Sequence, residues 1–154
     1  MSSYVNFYIK NGKNQTITYL FGFSQSNKIY QIFHKELYNH ADENNFCKEL
    51  TIQECNDLVK AASLEKTQLI DLIYSYRQSM QDLASWNNTI EDKMECYSSF
   101  ESSIKEAQQD IEEYNYTIHF YEILKEMIDW NPDHAVILAG INCYASRDEA
   151  NEDQ

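Results

Sequence analysis

The side chains able to do chemistry are few and scattered. His34, His40, Cys47 and Cys55 form the one place where bases, thiols and metal donors gather along the chain. Their spacing matches no zinc pattern, so they read as polar surface and packing rather than as a metal site. His119 falls beside a helical seam and reads as a packing residue, and His134 precedes a strand and can serve as a cap. Adjacent carboxylates such as Glu112 with Glu113, or Asp92 with Glu95, are solvated helix faces by default. A general acid–base pair needs a cleft that separates its pKa values, and no such cleft is implied. No Gly-x-Ser-x-Gly elbow, phosphate loop or dinucleotide fingerprint occurs. With only Arg77 and Arg147 as guanidinium forks, a phosphate-rich ligand is poorly served. The expectation is therefore no enzyme, no metal and no cofactor.

Charge is the stronger signal. The chain of 154 residues carries a net −13, and the excess is local. Between residues 89 and 130 eleven carboxylates face three lysines, whereas residues 1–50 hold five lysines against four acids. Nucleic acid and anionic lipid would be repelled by the acidic segment, and a basic protein surface would be attracted. Glu106, Asp110, Glu112 and Glu113 are the candidate contact residues for such a partner. The plain alternative is that these charges only keep a helix face soluble. No run approaches the eighteen or so apolar residues of a membrane span, and Met-Ser-Ser-Tyr does not open a signal peptide. Unpaired metal spacing and no leader together suggest a cytoplasmic chain whose cysteines are reduced and packed as small hydrophobes.

The elements that would carry these residues follow from periodicity. Residues 1–50 read as a β-hairpin and a short helix. Val5, Phe7 and Ile9 alternate with polar neighbours, Asn11-Gly12 suits a two-residue type I′ turn, and Ile17, Tyr19, Phe21 and Phe23 share one face of the return strand. Ser24 to Asn27 can cap a helix running to about Leu37, with a strand over Ile29 to Phe33 as the alternative; Tyr38 to Leu50 reads as a loop. Residues 51–130 read as two long helices folded back at Asn87-Asn88. The capping box Thr51-Ile52-Gln53-Glu54 opens the first, Thr89 opens the second, and Asn131-Pro132 stops it. Apolar residues recur every 3.5 positions from Ile52 to Leu83 and from Ile90 to Ile128, a coiled-coil pattern. Residues 133–143 read as a buried strand and residues 144–154 as an acidic tail. The expected fold is a single α+β domain: a small antiparallel sheet of about three strands, a short helix, and a long protruding antiparallel helical hairpin. Ile70, Leu72, Tyr74 and Tyr116 lie off the seam, which suggests a homodimer through the hairpins.

Three stretches occur in a suggestive order: Val5-Asn6-Phe7-Tyr8, Ser26-Asn27-Lys28-Ile29-Tyr30-Gln31 and Leu138-Ala139-Gly140-Ile141, with the acidic helical pair between them. This order resembles small accessory proteins of bacteriophages and prophages. The resemblance implies an antagonist of bacterial immunity, of the anti-CRISPR type, acting by stoichiometric binding in the host cytoplasm. Its partner would be a basic host protein such as a CRISPR-associated nuclease, whose nucleic-acid site the acidic surface would imitate. Two alternatives stay open: a sponge that sequesters a nucleotide immune signal, and a structural coiled-coil phage protein.

Overall fold

The computed structural model describes residues 4–38, 46–130 and 133–141. Four strands form one antiparallel sheet in the order β2-β1-β4-β3, with β1 at Tyr4–Asn11, β2 at Ile17–Ser24, β3 at Phe46–Glu49 and β4 at Ala135–Ile141. Between β2 and β3 lies α1, Lys28–Phe33, which widens into a π-helical turn over His34–Tyr38. The Asn27 side chain caps α1 by accepting from the Ile29 amide at 2.8 Å. The long helices are α2, Ile52–Asp82, continued by a 3₁₀ turn over Leu83–Ser85, and α3, Ile90–Trp130.

Both long helices start where side chains satisfy their first amides. Glu54 donates its amide to Thr51 Oγ1 at 3.1 Å, and the Thr51 amide donates back to Glu54 Oε1 at 3.1 Å. Leu50 and Cys55 flank this cap and are both buried, as a hydrophobic staple requires. At α3 the Asp92 amide donates to Thr89 Oγ1 at 3.2 Å.

The hairpin turn differs from the type I′ expectation. Five residues, 12–16, connect the strands. Asn11 Oδ1 accepts from the Lys13 and Asn14 amides, Asn14 Oδ1 accepts from Thr16, and the positive φ of 62° falls on Gln15 rather than on Gly12. Side chains that hydrogen-bond forward hold the longer loop, so the glycine's freedom is not used. A bulge follows: Phe7 pairs with Phe21 but Tyr8 with Tyr19, leaving Leu20 as the extra residue. The face of β2 therefore changes midway. Phe21 and Phe23 turn toward Phe120, while Ile17 and Tyr19 pack with Tyr8 and Leu138 on the other side. The single face expected for all four residues does not exist. Nor is Tyr38 to Leu50 all loop, because β3 pairs with β4 from Phe46↔Ile141 to Glu49↔Leu138.

The chain divides into two compact units, residues 1–61 with 117–154, and residues 62–116. In the first, Val5, Phe7, Ile29, Phe33, Cys55, Leu58, Tyr121 and Leu124 are buried. Phe7 meets Phe23, Phe33, Phe120 and Tyr121 edge-on, with ring centroids 5.1–6.3 Å apart. Tyr121 donates its hydroxyl to the Ile29 carbonyl at 2.8 Å, tying α3 to α1. In the second unit α2 and α3 pack through Ile73, Ile104 and Ala107, with Leu69, Tyr76, Met80 and Ile111 around them.

This arrangement corrects the expected architecture. The fold is α+β with a four-stranded sheet against which the helical segments of the first unit pack, not a three-stranded sheet bearing a coiled coil. A coiled coil buries its heptad seam evenly and little else. Here the seam residues Ile90 and Tyr97 are 70% and 47% exposed, whereas Leu58, Phe120 and Leu124, all off the seam, are buried. The sheet supplies the apolar surface that these off-seam residues cover, so the helices' burial follows the sheet in one unit and each other in the second. Cysteine usage is corrected too: Cys47 is disulfide-bonded, while Cys55 and Cys96 are free. Asn131-Pro132, His40, Asn142, Cys143 and the tail from Tyr144 lie outside the described residues.

Candidate functional site

The four carboxylates read as one contact surface belong to the unit formed by residues 62–116. They do not share one face. At about 100° per residue, Asp110 and Glu113 lie within about 40° of Glu106 around α3, whereas Glu112 lies about 120° away. Glu106, Glu112 and Glu113 are exposed, and Asp110 is half-buried. The stripe through Glu106 continues toward the start of α3 along Ser103, Ser102, Ser99, Glu95 and Asp92, with no lysine or arginine on it. This is the acidic flank of the helix pair. Glu112 belongs to the opposite flank, with Gln108, Glu101, Tyr97 and Met94.

A carboxylate from α2 joins the acidic flank. Tyr114 is buried beside it, and its phenol is raised above the ordinary 10.0 first by burial and then by Glu65, Asp110 and Glu113. All three carboxylates oppose a negative charge on that phenol, so they act on the same side of the helix pair. Sequence periodicity along α3 alone does not bring in Glu65. The antiparallel register does, since it sets residue 65 of α2 beside Tyr114.

Along the axis, Glu106 to Glu113 spans about 10 Å at 1.5 Å per residue, an average of about one charge per 5 Å of helix against one per 3.4 Å along a DNA strand. The flank is sparser than a phosphate backbone and does not reproduce its register. It can attract and orient a basic surface by charge without matching individual phosphate contacts.

Of the described histidine and cysteine positions, His34 and Cys55 pack and Cys47 is disulfide-bonded, whereas His119, expected to pack beside the seam, is exposed, as is His134. His34 stacks on Tyr30 with centroids 5.6 Å apart and tilts against Tyr38 at 5.1 Å. Cys55 is buried in the first unit, where desolvation pushes its thiol to about 11, with Glu54 adding to the rise and Lys125 opposing it. Among the described residues, no three His, Cys, Asp or Glu side chains gather closely enough to hold a metal ion. The first unit also contains an open hollow of about 550 Å³, lined by residues such as Leu50, Ile52, Ile128 and Val136, with Glu49 and Asp129 as its acids. Neither histidine nor cysteine lines it, and sequence periodicity gave no sign of it because β3 was not legible.

The four apolar residues expected to make one dimer surface divide as well. Ile70 and Tyr74 line a single hollow with Ile73, Arg77, Gln108 and Ile111, but Leu72 lies about 200° around α2 from Ile70. Tyr116 points away from the seam of α3, with 61% of its surface exposed.

No protein-family model matches the chain, and no curated protein and no solved structure is similar to it. No helix among the described residues is long and apolar enough to cross a membrane.

Proposed function

We propose that this chain is a binding protein, not an enzyme, that inhibits a basic nucleic-acid-handling effector of bacterial defence by occupying its charged groove. The observation that carries the reading is the acidic flank: Glu106, Asp110 and Glu113 on one stripe of α3, with Glu65 of α2 beside them. Such a surface raises encounter rates with a lysine- and arginine-lined groove and competes there with nucleic acid. The assignment to bacterial defence rests on the likeness of the three short stretches to phage accessory proteins.

The test is an affinity capture from bacterial lysate at low and high salt, followed by competition with duplex DNA. A partner released both by salt and by DNA supports the reading. Reversing Glu106, Asp110 and Glu113 together to lysine is expected to weaken capture by about 100-fold at physiological ionic strength, on the basis of about 1 kcal/mol per reversed charge. Glu112→Lys, on the other flank, leaves capture unchanged. Equal capture by the triple variant, or a partner indifferent to DNA, refutes the mechanism.

A further inference from the structure

The edge strand β3 stops short of the end of the strand it pairs with. It covers β4 from Ile141 to Leu138, and the last contact is the Leu50 amide donating to the Ile137 carbonyl at 2.9 Å. Thr51 then caps α2, and β4 runs on to Ala135 with no strand on that side. On the other side the Gly12 amide donates to the His134 carbonyl, so Asn11 and Ala135 face each other as a pair that exchanges no hydrogen bonds. The polar backbone groups of Ala135 therefore point away from β1, as those of Ile137 do two residues on. The Ala135 amide, the Ala135 carbonyl and the Ile137 amide form a donor–acceptor–donor row along the open edge. None of the three has a hydrogen-bond partner among the described residues.

That row borders the hollow of about 550 Å³ in the first unit, a volume in the range of ligand sites. Its walls are apolar at Leu50, Ile52 and Ile128. Its ionisable groups are Glu49 and Asp129, both exposed and neither ion-paired to a described residue. No lysine or arginine among the described residues lines it. Of the nearest cations, Lys48 is held by Glu54 at 2.9 Å, Lys125 lies one turn earlier on α3 and acts on Cys55, and Lys10 stands across β4 on β1.

We propose that this edge is a binding site for an extended basic peptide segment, which adds to the sheet as a short strand beside Ala135. An unpaired donor–acceptor–donor row on a strand edge is completed by a backbone that offers the opposite row. A helix cannot offer it, because its own turns use its amides and carbonyls. An alkyl chain would cover the same walls and leave all three groups unpaired. The peptide residue opposite Ala135 shares its face of the sheet with Leu50 and Ile137, so an apolar side chain there enters the hollow toward Ile128. Glu49 and Asp129 at the rim favour lysine or arginine in the flanking positions. The same acids disfavour the chain's own C-terminal stretch, with Asp148, Glu149, Glu152 and Asp153, and a second copy of a chain of net −13. The site lies wholly in the first unit and stands independently of the proposed function.

The test is a titration of the isotope-labelled chain with acetyl-Lys-Val-Lys-Val-Lys-amide up to about 1 mM at physiological salt, read by NMR at each backbone amide. The Ala135 and Ile137 amide signals are expected to shift saturably. The peptide with glutamate in place of lysine should bind at least about tenfold more weakly. Methylating the backbone nitrogen of both valines leaves the charge unchanged and removes the donor to the Ala135 carbonyl, which should weaken binding by about fivefold or more. Glu49→Lys combined with Asp129→Lys, both at exposed positions, should weaken it by at least about tenfold, with circular dichroism confirming that the variant folds. Shifts confined to other amides, equal binding of the glutamate peptide, or undiminished binding by the double variant or the methylated peptide overturns the proposal. Ala135 and Ile137 signals that move on dilution of the chain alone would assign the edge to a second copy, which overturns it too.

Discussion

Raising the pH from 8 to 11 should destabilise this protein through one buried thiol. Cys55 is fully buried against the α3 side of the first unit, and burial, then Glu54, lifts its thiol from an ordinary 9.0 to about 11. The folded state therefore holds the thiol proton more tightly than the unfolded chain does. Its contribution is complete below about pH 9 and is lost as pH rises through about 11. At 1.36 kcal/mol per pH unit, the difference amounts to about 2–3 kcal/mol by pH 11. Tyr121 adds to the same trend at higher pH. Its wholly buried phenol is raised well above 10.0 by desolvation first and by Cys55 second, and its hydroxyl proton is engaged with the Ile29 carbonyl. Urea unfolding followed at 222 nm should give a flat midpoint to about pH 9, then a fall of about 1–2 M by pH 11. A Cys96→Ser background removes the half-buried thiol that could exchange at high pH. General charge repulsion in a chain of net −13 also grows with pH, and Cys55→Ala separates the two effects. That variant starts less stable because of its cavity, but should lose little between pH 8 and 10. A natural chain whose midpoint stays flat to pH 11 refutes the reasoning, as does a Cys55→Ala chain that declines as steeply.

Two further outcomes follow from the local geometry. Gly140→Ala places a methyl group on the backbone of β3, inside contact with the Phe46 carbonyl and 2.8 Å from Cys47 Cα. Because backbone cannot yield as a side chain does, the expected cost is at least about 3 kcal/mol, with hydrogen exchange of the Phe46–Glu49 amides accelerating first. Thr51→Ala removes the acceptor for the Glu54 amide and should cost about 1 kcal/mol in thermal or urea unfolding, with no change in the acidic flank.

How much of this was legible in the chain depends on whether the governing contact is local. The strands β1 and β4, the two long helices and both helix starts were legible, because alternation, a 3.5-residue apolar repeat and side-chain caps act over a few residues. The candidate carboxylates were also visible as a local charge excess. Their division into two flanks was not, because the count of acids ignores where the partner helix lies. Glu65 was invisible from α3 for the same reason.

The sequence by itself determined that two long amphipathic helices form and where the first residues of each are capped. It also determined that the second helix is strongly acidic. Only the tertiary structure decided what those helices bury. Heptad spacing says that a stripe will be covered but not by what, and a sheet covers a wider stripe than a helix does. Hence Leu58, Phe120 and Leu124 are buried off the seam while Ile90 and Tyr97 stand exposed on it. The same distinction explains β3 and the bulge at Leu20. Phe46–Glu49 has too little pattern to declare itself and becomes a strand because Gly140 lets its backbone approach β4. Leu20 is read as part of a continuous strand until its neighbours pair with Phe7 and Tyr8, and that non-local pairing turns half of β2 to the other face.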